Sequence, residues 1–147
     1  MSIVFEIGIT EKNNQEIERK ETIEVIASKG IIGDRYFHDF NGDREQITLI
    51  ESENIDYYNK NFNTNFNYLD FRRNIVTKDI ELNALIGKTI KVGKIKLRVN
   101  DLCRPCKNLQ NRLGQSNIIK EFLKRGGLRC EILTSGFINV GDKIINL

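Results

Sequence analysis

Short segments in which apolar residues recur at every second position run from end to end of this chain, and that period predicts a mainly β fold. The sharpest lies at residues 90–99. Ile90 and Val92 precede Gly93-Lys94, and Ile95, Leu97 and Val99 follow, with Lys96 and Arg98 on the opposite face. A two-residue turn beginning with glycine suits a type II′ hairpin. Ile3, Phe5, Ile7 and Ile9 alternate in the same way, the polar run 11–16 interrupts, and Ile23, Val25 and Ala27 resume, which predicts a hairpin with a long exposed loop. Residues 46–50 and 71–77 predict further strands. On the second of these, adjacent Arg72 and Arg73 point to opposite faces, so at most one faces a pocket. Leu128, Cys130 and Ile132 alternate into another strand, Ser135-Gly136 turns, and 138–145 closes the fold with a turn at Gly141-Asp142.

Helical signals are few. Residues 51–59 place Ile55 and Tyr58 on one side. Ser116 is a suitable N-cap for a short helix with Ile118, Ile119, Phe122 and Leu123 together, stopped by Gly126-Gly127. Residues 59–67, with asparagine at every second position, are expected to form a loop pinned by Phe62 and Phe66. Many short strands and few helices imply a closed or nearly closed β-barrel. No linker or repeat divides the 147 residues, so a single domain over 1–147 is expected.

Composition narrows the function classes. No apolar run approaches the roughly 20 residues of a membrane span, and the N-terminus lacks the layout of a signal peptide, so a cytoplasmic location is expected. Three cysteines, an odd number, argue for reduced thiols rather than a disulfide framework. A net charge of +3 gives little reason to expect a nucleic-acid surface, and nothing suggests a membrane partner.

Chemistry concentrates at Val99-Asn100-Asp101-Leu102-Cys103-Arg104-Pro105-Cys106-Lys107-Asn108-Leu109, which holds two of the cysteines and the only proline. Arg104 and Lys107 favour a thiolate, the form that acts as nucleophile or soft-metal ligand. A dithiol redox pair, a zinc site and a single thiolate in an anion-lined pocket compete here. The redox reading wants βαβ units and a second proline; neither is present. Zinc needs four ligands, and the spare ones are Cys130, placed as a core residue, and His38, in a polar stretch ending in a turn at Asn41-Gly42. For an anion, Arg72-Arg73-Asn74 offers guanidinium forks and an amide, and Asp34-Arg35 puts a charge pair beside Gly30 and Gly33.

The succession Gly33-Asp34-Arg35, Ile47-Thr48-Leu49-Ile50, Arg72-Arg73-Asn74-Ile75, Ile86-Gly87, Val92-Gly93, Cys103-Arg104-Pro105-Cys106, Gly126-Gly127-Leu128-Arg129 and Gly136 with Val140-Gly141-Asp142 resembles the MOSC domain, named from the C-terminal domain of molybdenum cofactor sulfurase. The resemblance covers about Ile23 to Leu147. It implies a MOSC-type β-barrel with a few short helices that binds or serves the molybdenum cofactor, a molybdopterin. In related reductases of N-hydroxylated compounds the second cysteine of this segment ligates molybdenum, which carries over to Cys106 as the catalytic and metal-ligating residue. Arg35, Arg72 or Arg73, and Asn74 become the expected contacts to the cofactor's phosphate, with Thr48 and Arg104 as further ones. Cys103 is expected to tune Cys106 or to be a small buried residue. The activity implied is reduction of a small N-oxygenated substrate. Because no stretch resembles a flavin, haem or iron–sulfur motif, a separate electron-donor protein is implied as partner. The alternative is a non-enzymatic sulfur carrier, with a Cys106 persulfide received from a cysteine desulfurase.

Overall fold

The computed structural model describes residues 1–13, 15–39 and 46–147. Alternation becomes strands at β1 (Ile3–Ile9), β2 (Glu18–Lys20), β3 (Thr22–Ile26), β4 (Gly30–Ile31) and β5 (Ile47–Glu51). Helix α1 (Ser52–Phe62) leads through a 3-10 turn at Tyr68–Phe71 to β6 (Ile75–Lys78). Then come β7 (Thr89–Val92), β8 (Ile95–Leu102), α2 (Lys107–Leu113), α3 (Ile118–Glu121), β9 (Leu128–Ile132), β10 (Gly136–Asn139) and β11 (Ile144–Asn146).

Eight strands form one sheet in the order β11-β7-β8-β9-β5-β6-β1-β2, and β10-β3-β4 form a second. The large sheet curls until β1 meets the approach to β11. There the Val4 N–H donates to the Asp142 carbonyl (2.9 Å), the Gly141 N–H to Val4 (2.8 Å) and the Ile144 N–H to Ser2 (3.0 Å). The barrel interior is filled by buried apolar side chains such as Val4, Ile7, Leu49, Ile75, Leu97, Val99 and Leu128. Within the large sheet β5 and β6 are the parallel pair, joined by the crossover through α1. They are buried on both faces: Leu49 and Ile75 face the barrel, while Ile50 and Val76 pack outside it with Ile55, Tyr58, Phe71 and Phe122.

The β7–β8 hairpin forms as its spacing predicts, with φ +60° at Gly93 and no positive φ at Lys94, the pattern of a type II′ turn. Other elements differ from expectation. The hairpin predicted between the first two alternating segments is not made: β1 pairs with β2, while β3 pairs with β10 and β4, where Ile23 and Val25 lie opposite Ile138 and Gly136. A bulge between Val4 and Glu6 shifts β1 out of strict alternation, so Val4 with Ile7 and Ile9 faces the barrel and Phe5 packs outside, edge-on to Tyr68 at 5.4 Å. The expected loop at 59–67 begins as helix, since α1 runs to Phe62 and ends with Asn63 in the left-handed conformation. Phe62 stacks on Tyr58 and Phe66 meets Phe71 edge-on. The late helix starts at Ile118, after Asn117 rather than Ser116, and is one turn long; α2 before it, which sets Leu109 and Leu113 against the outer core, was not expected. The closing segment splits into β10, which Gly136 already opens, and β11. The turn expected at Asn41-Gly42 lies outside the described residues. Among the described residues no helix is long and apolar enough to cross a membrane.

Candidate functional site

Cys106 stands between the end of β8 and α2, extended at φ −108° and ψ 170°, and its residue is exposed. Three chain segments far apart in sequence meet around it. They line a cleft of about 380 Å³ with Asn13, Arg35, Tyr36, Arg72, Arg73, Cys106, Asn108, Leu109 and Arg112. Four arginines and one cysteine line it, and no carboxylate does among the described residues.

Both arginines of the Arg72-Arg73 pair line it, against the expectation that a strand would send them to opposite faces. The reason is local: Phe71 ends the 3-10 turn, Arg72 follows in the left-handed conformation (φ 64°), and the strand begins only at Ile75. Arg72 is buried, and its guanidinium donates from Nη1 to the Gln15 carbonyl and from Nη2 to Asn13, each at 2.7 Å. Burial, with Arg35 and Arg112 adding like charge, pushes its pKa down from the usual arginine value. Arg73 clamps the cysteine loop. Its Nε donates to the Gly126 carbonyl at 2.8 Å and its Nη2 to the Cys103 carbonyl at 3.3 Å, while the Cys103 N–H donates to Gly127 at 2.7 Å. Gly127 is required there. At φ +97° its Cα faces the β5 backbone so closely that a Cβ would lie 1.8 Å from the Leu49 carbonyl oxygen.

Arg35 lies over the Tyr36 ring, 4.4 Å from its centroid, and its Nη2 donates to the Arg72 carbonyl at 3.2 Å. Its Nη1 is 3.5 Å from Asp34 Oδ1, an ion-pair distance, yet has no hydrogen-bond partner although the side chain is only 8% exposed. Burial pushes the Asp34 carboxyl up, opposed by the Thr10 N–H and the Arg35 charge. Asn74 and Thr48, both expected at the site, stand beneath the cleft and do not line it. Asn74 is fully buried: Oδ1 accepts from the Thr48 N–H (3.0 Å) and hydroxyl (3.1 Å), and Nδ2 donates to the Gly8 carbonyl (3.2 Å) and to Asp34 Oδ1 (3.4 Å). Arg104 points outward, its side chain 56% exposed and 3.5 Å from Asp101.

The other thiols stand apart from this arrangement. Cys103 is buried, and Cys130 is fully buried in the barrel, where burial and then the neighbouring Cys103 push its thiol up. His38 is exposed. Among the described residues no three of His, Cys, Asp and Glu gather as a metal site.

Arg112, Tyr36, Asn13 and Asn108 line the cleft without having been anticipated. For Arg112 a signal existed: Cys106, Leu109 and Arg112 recur every three residues, and a helix over 107–113 puts them on one face.

The sequence pattern of the MOSC domain matches residues 37–145. No curated protein sequence matches the chain. Among solved structures, the YuaD protein of Bacillus subtilis is similar at a TM-score of 0.84 and 16% identity, covering 98% of this chain and 94% of that one. YiiM of Geobacillus stearothermophilus is similar at 0.82 and 14%, covering 100% and 75%, and YiiM of Escherichia coli at 0.77 and 16%, covering 100% and 70%. At such identities the likeness shows the fold.

Proposed function

The chain belongs to the MOSC domain family, which is associated with binding of the molybdenum cofactor, and from this we propose that it holds that cofactor in the Cys106 cleft and reduces small N-oxygenated compounds. One observation carries the reading: a single exposed cysteine lines a cleft together with four arginines and no carboxylate among the described residues.

The donor set fits the group. A thiolate at Cys106 suits a soft transition metal, and guanidinium forks suit a phosphate. Arg35 lines the cleft, and its buried Nη1, 3.5 Å from Asp34, has no hydrogen-bond partner. Arg72, crowded by Arg35 and Arg112, gains from the same anion. The volume is that of a small-molecule site. When bound, the cofactor supplies the redox centre. This chain's own residues bind and orient: Cys106 ligates, Arg35, Arg72 and Arg112 neutralise, and Arg73 holds the cysteine loop against Gly126. Asn74 and Thr48 act beneath as positioning residues, and Arg104, which does not line the cleft, is given no role. Electrons come from a separate protein, and three free thiols suit a reducing cytoplasm.

Molybdenum content of protein purified from a cofactor-producing host tests this. The wild type is expected to carry stoichiometric metal, and Cys106→Ala to lose it while remaining folded. A metal-free wild type, or a variant that keeps its molybdenum, overturns the proposal.

Sulfur carriage is the second reading, favoured by the contrast between exposed Cys106 and buried Cys103. A persulfide on Cys106 is open to a partner, while the Cys103 thiol is covered. This reading predicts metal-free protein that gains one sulfur at Cys106 when incubated with a cysteine desulfurase and cysteine.

A further inference from the structure

The cleft at Cys106 does not end at its arginines. A second cavity, about 500 Å³, shares Arg72 and Arg112 with it and is otherwise built differently: four apolar side chains, Ile17, Phe66, Leu69 and Leu113, and the carboxylates Asp70 and Glu16. A third cavity of about 620 Å³ shares Glu16, Ile17, Phe66, Leu69 and Asp70 with the second and adds Glu6, Asp56 and Arg19, with Arg19 2.7 Å from Glu6. Among the described residues the Cys106 cleft is lined by four arginines and no carboxylate, whereas the second cavity sets two carboxylates beside its two arginines. A ligand lying across the two is oriented by that difference, with an acceptor-rich end at Cys106 and a cationic end on the carboxylates.

The apolar wall is preformed. Ile17, Phe66 and Leu113 are partly buried against the outer core, and Phe66 is held edge-on to Phe71 at 5.7 Å. Of the two carboxylates, Glu16 is 3.4 Å from Arg112 on a side chain almost wholly exposed. Asp70 is the better partner. Its Oδ2 accepts the Asn67 N–H at 2.8 Å, which fixes the carboxylate and leaves Oδ1 for a ligand.

We propose that this second cavity binds a molecule with a flat apolar body, packed on Phe66, Leu69 and Leu113, and a cationic hydrogen-donating head on Asp70. As the substrate side of the Cys106 cleft this rests on the function proposed above; as a binding site it rests on the cavity alone.

The probe is 2-phenylethylamine, titrated into the purified protein by calorimetry, with 2-phenylethanol as its neutral counterpart. Saturable binding of the amine is expected, at least tenfold tighter than the alcohol. Asp70→Asn keeps the acceptor for Asn67 and is expected to weaken the amine about tenfold, and Leu113→Trp, filling the cavity, to abolish binding. Circular dichroism establishes that both variants fold. Cys106→Ala is expected to bind the amine as the wild type does, so a metal-free wild type that still binds it overturns the cofactor reading and leaves this one standing. Absence of saturable binding to the wild type, or equal affinity in wild type, Asp70→Asn and Leu113→Trp, overturns the proposal.

Discussion

At the scale of single residues, the site is marked by a conformation that its side chain does not favour. Arg72 occupies the left-handed region, which costs a residue with a Cβ about 1 kcal/mol or more. Its guanidinium is nevertheless the one tied to Asn13 and Gln15 over the cleft. Arg72→Gly should therefore be more stable than Arg72→Ala by about 1 kcal/mol in urea denaturation, because both lose the guanidinium and only glycine relieves the backbone. Equal stabilities would mean that the backbone rearranges when the side chain goes. The cysteines divide in the same way between structure and chemistry. Cys106→Ala, at an exposed position, should change stability by no more than about 0.5 kcal/mol, whereas Cys103→Ala should cost about 1 kcal/mol through the small void it leaves. For the proposed reductase activity the order should reverse: loss of Cys106 is expected to abolish it and loss of Cys103 to weaken it. Equal losses of activity would point back to a thiol pair.

Elements place these residues by a few close backbone approaches. Gly127 lets β9 start against the β5 backbone and keeps the Cys103 loop within reach of Arg73. A methyl group at 127 meets the Leu49 carbonyl, which belongs to a central strand and has nowhere to move. Gly127→Ala should cost about 3 kcal/mol or more, seen as a lowered denaturation midpoint. The junction of β5 and α1 carries a pH response. Burial, and then repulsion from Glu53 and Glu81, raises the Glu51 carboxyl above its ordinary 4.5, while the Leu82 N–H donated to it at 3.2 Å opposes the shift. A folded-state value above the unfolded one means that folding favours the protonated form. That contribution is complete below 4.5 and is lost as pH rises through the folded value. A glutamine side chain in its place keeps an acceptor for the Leu82 N–H and carries no charge. Glu51→Gln should thus melt higher than wild type at about pH 7, with the gap closing by about pH 4. An unchanged gap at both would assign the effect to packing instead.

Over the whole molecule, the barrel core and the outer core share β5 and β6, whose successive residues Leu49 and Ile50, and Ile75 and Val76, face one core and then the other. Neither core can lose its wall without opening the other. One cooperative unfolding transition is therefore expected, with backbone ellipticity and tyrosine fluorescence changing together; separate midpoints would show that the helical side melts first. The strand pattern was legible in the sequence because alternation acts over neighbouring residues: β7, β8 and β9, the II′ turn at Gly93 and the β-barrel class all follow from a period of two. As a candidate, Cys106 was legible as well, from the thiol pair at a strand's end and from the motif order that resembles the MOSC domain, and it lines the cleft. Partners in space were not. Alternation says that a segment is extended but not which segment lies beside it, and closing a longer loop costs only slightly more than closing a shorter one, so β3 takes β10, with buried Ile23 opposite buried Ile138, while β1 takes the charged β2, where Arg19 lies 2.7 Å from Glu6. Which way Arg72 and Arg73 face depended on where the strand begins, and the 3-10 turn decided that. The sequence alone thus determined the strands and the thiol. Only the tertiary structure brought Arg35, Arg72 and Arg73 to the cleft of that thiol, because segments this far apart in sequence meet through the fold and not through any pattern within one of them, whereas Arg112 stands there through the helix that Cys106 caps.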